Sequence, residues 1–224
     1  MPPTPGDAPR AYTSPARAEG AAATRRRIVD AAASLFSERG YQGTTLQAIA
    51  DAAGVSVQSV HLAGPKGALL MAAFETTFAG DEGTHPLAER PALVEIVAIV
   101  DSSEALDRYV ELIAHANERS AGIWDALRTA AQTEEAIARS LADLATRRAG
   151  DLGTGAAWLE QRRLLEPQAD LSQVADVLGL ITGPDTYRHF VVDRVWPLER
   201  YQRWMRHAID RLLLAQDGPD RRDD

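Results

Sequence analysis

Apolar residues recur along most of the chain at steps of three and four, the spacing of one face of an α-helix. In TRRRIVDAAASLFSERG, Ile28, Ala31, Ala32, Leu35 and Phe36 form one stripe, and Gly40 supplies its stop. TTLQAIADAAG sets Leu46, Ile49, Ala50 and Ala53 on a second stripe, with Thr44 as N-cap and Gly54 as breaker. The third helix is very short. Ser56 caps it, Val57 and Val60 anchor it, Val55 packs at the turn, and Gly64-Pro65 ends it near Leu62. A fourth follows Lys66, with Leu69, Leu70, Ala73, Phe74 and Phe78 on one face.

The same spacing predicts helices over 91–99, 103–131, 133–162, 170–183 and 197–215. Leu171, Val174, Leu178 and Ile181 stripe the fourth of these. Tyr201, Trp204, Met205, Ala208, Ile209, Leu212 and Leu213 stripe the last, with Pro197 at its first turn. His85 to Pro91 reads as a connector. Val, Ile and Thr do not alternate in runs, so strands are unsupported. The fold class is all-α.

Composition sharpens the ends. Residues 1–23 hold five prolines and almost no large apolar side chains, so burial cannot offset the entropy of ordering them. They are expected to form a disordered arm, and the charged residues 217–224 a frayed tail. Between them, 24–80 reads as one domain and 81–216 as a larger helical one.

Two short helices joined by a tight glycine turn have the layout of a helix-turn-helix, whose second helix can enter a DNA major groove. Charge neither requires nor forbids this. The net charge is −8, but residues 1–75 carry seven Arg/Lys against six Asp/Glu, and an acidic protein can bind nucleic acid through a locally basic face. The absence of cysteine removes disulfides and thiolate metal sites and suits a cytoplasmic location. No apolar run is long enough for a membrane span, and the N-terminus lacks the apolar core of a secretory signal.

From Thr24 to about Phe78 the chain resembles the DNA-binding domain of TetR-type transcriptional regulators. The resemblance rests on the Thr-Arg start, the Ala-Ala…Leu-Phe…Gly-Tyr first helix, Thr-Thr-x-x-x-Ile-Ala, and Ala-Gly-Val-Ser opening the third. TGPDTYRHFVVDRVWPLERYQRWM is similar to a subgroup of the same family, less specifically. The resemblance implies an all-helical homodimer. Its first three helices bind a double-stranded operator, its larger domain takes a small-molecule effector, and ligand binding moves the heads off DNA. It implies no catalysis and no cofactor.

Carried onto this chain, the resemblance places Arg25, Thr44, Thr45, His61 and Lys66 near the DNA backbone, with Gln47 and Ser56 in the same DNA-facing set. Gln58 and Ser59 fall where side chains reach bases; glutamine pairs bidentately with adenine, and serine serves several bases. Capping alone is the plainer reading of Ser56, Thr44 and Thr45, and a solvated face that of Gln58.

Two departures bear on DNA reading. Many members have a lysine where Val57 stands. The third helix usually ends Tyr-x-x-Phe, but here it runs His61-Leu62-Ala63-Gly64 and is one residue short before Lys66. Loss of a buried aromatic typically costs about 3–5 kcal/mol. A weakened or reoriented head is therefore expected, and the alternative reading is a ligand-binding protein of the same fold with weakened or lost DNA reading.

Enzyme signatures are missing: there is no G-x-S-x-G, P-loop or G-x-G-x-x-G. His115 lies between Glu111 and Glu118 on one helix, but no second Glu-x-x-His completes a metal site, so none is expected. The resemblance puts Tyr109, His115, Trp124, Leu127 and Trp158 in the region that lines an effector cavity, plain core packing being the alternative. Glu111, Glu118 and Asp125 nearby suggest a cationic or neutral apolar effector. Val174, Leu178, Ile181, Trp204, Ala208 and Leu212 are expected to build a four-helix dimer interface.

Overall fold

The computed structural model describes residues 15–80, 82–83 and 86–215. Among the described residues ten α-helices follow one another: α1 (Pro15–Arg39), α2 (Leu46–Ala53), α3 (Val57–Ala63), α4 (Lys66–Ala79), α5 (Pro91–Ala98), α6 (Ser102–Ala131), α7 (Glu135–Gln161), α8 (Leu171–Ile181), α9 (Pro184–Tyr187) and α10 (Leu198–Leu212). A 3-10 turn at Leu87–Glu89 lies within the expected connector, and a π-helical segment, Arg188–Asp193, follows α9. There is no strand among the described residues.

Helix α1 begins nine residues before the expected start at Thr24. Alanine's helix propensity extends it, and Thr24 Oγ1 donates back to Gly20 O at 2.9 Å. Residues 19–23 of this overhang are exposed, so no apolar stripe announces it. The disordered arm is thus corrected for 15–23; residues 1–14 and the tail 217–224 lie outside the described residues, as does His85.

The caps are those the short helices need. Thr45, not Thr44, caps α2, accepting from Ala48 N at 3.1 Å. Thr44 is fully buried, and its hydroxyl reaches Leu35 O and Gly40 O at 3.1 and 2.8 Å. Gly54 ends α2 at φ 63°, a left-handed conformation that glycine adopts without cost.

Two apolar cores result. The first joins α1–α4 around Ile28, Phe36, Ile49, Val60 and Leu70, and takes in Ile123, Ala126, Leu127 and Ala130 of α6 and Ile137 of α7. The second lies among α6, α7, α8 and α10, around Ile113, Leu159, Tyr201 and Met205. α6 thus belongs to both. It lies close against α1 because position 122 is glycine: a Cβ there would lie 2.2 Å from Ser37 Oγ and 3.1 Å from Ser37 Cα.

Candidate nucleic-acid interface and ligand cavity

Helix α3 is two turns long and is held at both ends. Ser56 Oγ accepts from Ser59 N at 3.1 Å, and the two serine hydroxyls share a hydrogen bond at 2.9 Å. Val60 is its one fully buried side chain. At the far end, Arg25 of α1 donates to Ala63 O at 2.7 Å while its Nε and Nη2 grip Glu82 at 2.9 and 2.6 Å. Arg27 clamps the preceding turn, donating to Ala53 O and Gly54 O. Lys66 donates to Thr44 O at 2.9 Å and lies 4.0 Å from the centre of the Tyr41 ring. Burial lowers its pKa, and Glu134 partly restores it. Between these tethers Ser56, Gln58 and His61 are exposed, Ser59 is half-buried, and Leu62 stands 82% exposed.

A partly open cavity of about 680 Å³ lies between the two cores. That lies within the range of roughly 300–1,000 Å³ usual for small-molecule sites. Phe74 and Phe78 of α4, Leu106 and Tyr109 of α6, and Leu152 and Trp158 of α7 give it an apolar wall. Phe74 stacks on Phe78 and tilts against Trp124, at centroid separations of 5.7 and 5.4 Å. Some of the charge in the wall is partnered: Arg147 binds Glu75 at 2.8 Å, and Asp151 accepts from Leu87 N at 2.9 Å. Burial raises the pKa of Asp151, while the Leu87 and Ala88 amides and then Arg90 and Arg147 draw it down.

Residues 28–63 match the family model described as bacterial regulatory proteins, tetR family. The whole helical layout is shared with solved structures. A Rhodococcus sp. protein assigned to the TetR-family transcriptional regulators aligns with a TM-score of 0.69 at 18% identity, over 87% of this chain and 100% of that one. A Saccharomonospora viridis protein assigned as a transcriptional regulator, in complex with choline, gives 0.67 at 19%, over 87% and 100%. The Bacillus subtilis transcriptional regulator FadR, in complex with stearoyl-CoA, gives 0.63 at 17%, over 83% and 97%. The chain thus matches the tetR-family model over residues 28–63 and shares the fold of these solved structures. No curated protein matches it in sequence.

On this fold the sequence-predicted positions separate. Gln47, Ser56, Gln58 and His61 face solvent together with Thr45. Thr44 does not, and Arg25 and Lys66 spend their charged ends on Glu82, Ala63, Thr44 and Tyr41. Tyr109, Trp124 and Trp158 line the cavity, but Leu127 and His115 do not. Leu127 faces the head core, and His115 Nδ1 is 2.8 Å from Glu111 O on its own helix. The carboxylates that suggested a cationic effector are elsewhere too: Glu111 and Glu118 are exposed, and Asp125 pairs with Arg188.

The expected dimer set is also divided. Val174, Leu178, Ile181 and Ala208 are buried within this chain's own second core, because both stripes face each other across it. Trp204 is half-buried, 4.4 Å from Phe190 between ring centres. Leu212 is exposed. Sequence reasoning missed Arg148 and Thr182 in the cavity wall. Arg148 carried a signal, since it sits at helical spacing in the stripe of Leu141, Leu144 and Leu152, where a charge is out of place unless it is partnered.

Proposed function

We propose that this protein is a ligand-responsive transcriptional regulator, a homodimeric repressor released from a palindromic operator by a small molecule. The observation that carries the reading is the double duty of α4. Leu69, Leu70 and Ala73 on one side of it are buried in the head core. Phe74, Glu75 and Phe78 line the cavity. A ligand that repositions Phe74 therefore acts on the helix that continues from α3 through Gly64-Pro65. The other half of the reading is the uncommitted face of α3, where Gln58 would read bases and Ser56, Thr45 and His61 would meet phosphates. Catalysis has no part in it.

The partner surface for a second copy lies on the outer sides of α8 and α10. These helices pack on one another. Leu180 and Leu212 are 70% and 67% exposed on their outer faces, beside the half-buried Trp204. A two-fold pairing would bury each against its mate. Among the described residues no helix is long and apolar enough to cross a membrane.

A second reading has its own observation. With only Val60 fully buried and Leu62 exposed, α3 is lightly anchored. A ligand sensor with poor DNA reading would look the same. Fluorescence anisotropy with duplex fragments from around the protein's own gene, at two salt concentrations, separates the readings. Saturable, salt-weakened binding with a Kd of about 10⁻⁸ to 10⁻¹¹ M supports the repressor. A folded dimer that binds every duplex alike supports the second.

A further inference from the structure

The polar end of the cavity is where α6, α7 and the end of α8 meet. Arg148 of α7 extends Nη2 to Gly179 O at 2.9 Å and to Thr182 Oγ1 at 3.4 Å. Tyr109 of α6 shares this corner: burial raises its phenol pKa, and the Thr182 hydroxyl and the Arg148 charge beside it pull it back in part. The Thr182 hydroxyl, which also reaches Leu178 O at 2.8 Å, stands between the other two groups. Arg148 and Tyr109 both line the cavity.

Arg148 lacks the ion pair that Glu75 has in that wall. Glu75 has Arg147, Asp151 has the Leu87 amide, Arg90 donates to Ala79 O at 3.1 Å, and Asp176 is exposed. Arg148 has no carboxylate within ion-pair distance among the described residues. Asp185 acts on it from further away, but Asp185 Oδ1 is already taken by Trp124 Nε1 at 2.9 Å and Arg128 at 2.8 Å. Burial lowers the Arg148 pKa, and Tyr109, Asp185 and Tyr201 compensate only in part. A desolvated guanidinium with unspent donors is costly by itself and favours an oxyanion that completes its fork.

We propose that the cavity takes an amphipathic monoanion, with an apolar body along Phe78, Leu106, Leu152 and Trp158 and a carboxylate seated on Arg148 and Tyr109. This rests on the ligand-responsive reading and assigns the effector's chemical class. It reverses the cationic or neutral effector that the carboxylates along α6 suggested. The two liganded neighbours hold choline and stearoyl-CoA, so they do not decide the charge of the head group; Arg148 does.

Isothermal titration calorimetry of the full chain with decanoate, decan-1-ol and decyltrimethylammonium tests the charge, and 2-naphthoate distinguishes a ring carboxylate from a chain carboxylate. At least one carboxylate is expected to bind about tenfold or more tightly than the alcohol, with the ammonium weakest. Arg148→Gln should remove the carboxylate's advantage over the alcohol, and Tyr109→Phe should reduce it. Equal binding of acid and alcohol, preference for the ammonium, or no binding of either carboxylate overturns the proposal. The wild-type series decides this even if Arg148→Gln fails to fold. If decanol binds as well as decanoate and releases operator, the ligand-responsive reading stands and only the anionic head falls.

Discussion

The head and the body of this molecule solve opposite problems. The head must leave polar side chains in water, so it holds a seven-residue helix by its ends: a serine cap at one, arginine and lysine tethers at the other, and a single fully buried valine between. The body must keep a space open, so it uses long helices and aromatic walls and places an arginine inside them. The head's chemistry depends on what is not packed, and the body's on what is. The two cannot be separated cleanly, because α4 and α6 contribute to both.

Mutations can break or sharpen that contrast. The largest effect is expected at Phe36, which is fully buried in the head core and stacks on Tyr41 at 6.1 Å. Phe36→Ala should cost about 3–5 kcal/mol in urea unfolding, in a single transition if α6 couples the two cores; two separated transitions would show independent units. Next is Leu127, an α6 residue that belongs to the head. Leu127→Ala should cost about 2–5 kcal/mol yet leave decanoate affinity unaltered by calorimetry. A changed ligand preference with little loss of stability would return Leu127 to the cavity.

Smaller effects separate function from folding within α3. Gln58→Ala should leave the melting temperature unchanged and lose about 1–3 kcal/mol of discrimination between operator and scrambled duplex in competition anisotropy. Ser56→Ala should do the reverse at smaller scale. It should cost about 1 kcal/mol of stability through the lost cap, with operator and scrambled DNA weakened alike. If Ser56→Ala alone relaxes specificity, that serine reads DNA and is more than a cap.

The head was more legible in the sequence than the body. Its helices are bounded by glycines and small polar caps, and the buried positions Ile28, Phe36, Ile49, Val60 and Leu70 stand at strict helical spacing. The errors there are local. Two adjacent threonines exchange roles, because side-chain periodicity cannot say which hydroxyl turns back on α1. Arg25 and Lys66 look free in one dimension but meet carbonyls from other helices in three. In the body, helix positions were readable but partners were not. The stripes of Val174, Leu178 and Ala208 show that they are buried, without showing whether by their own chain or by a second copy. Leu127 and Tyr109 lie on the same long helix but face different cores. Arg148 stands at helical spacing with Leu141, Leu144 and Leu152, but its partners Gly179 O and Thr182 come from another helix and are not visible in one dimension.

The central claim is that occupancy of the cavity controls the exposed face of α3. The direct test is operator affinity by fluorescence anisotropy, measured without ligand and with the cavity saturated by a ligand whose binding calorimetry has established. The account predicts that saturation weakens operator binding by about 5- to 150-fold, the usual span of allosteric coupling, while binding to scrambled duplex changes little. An operator affinity that stays the same with the cavity demonstrably full would contradict it.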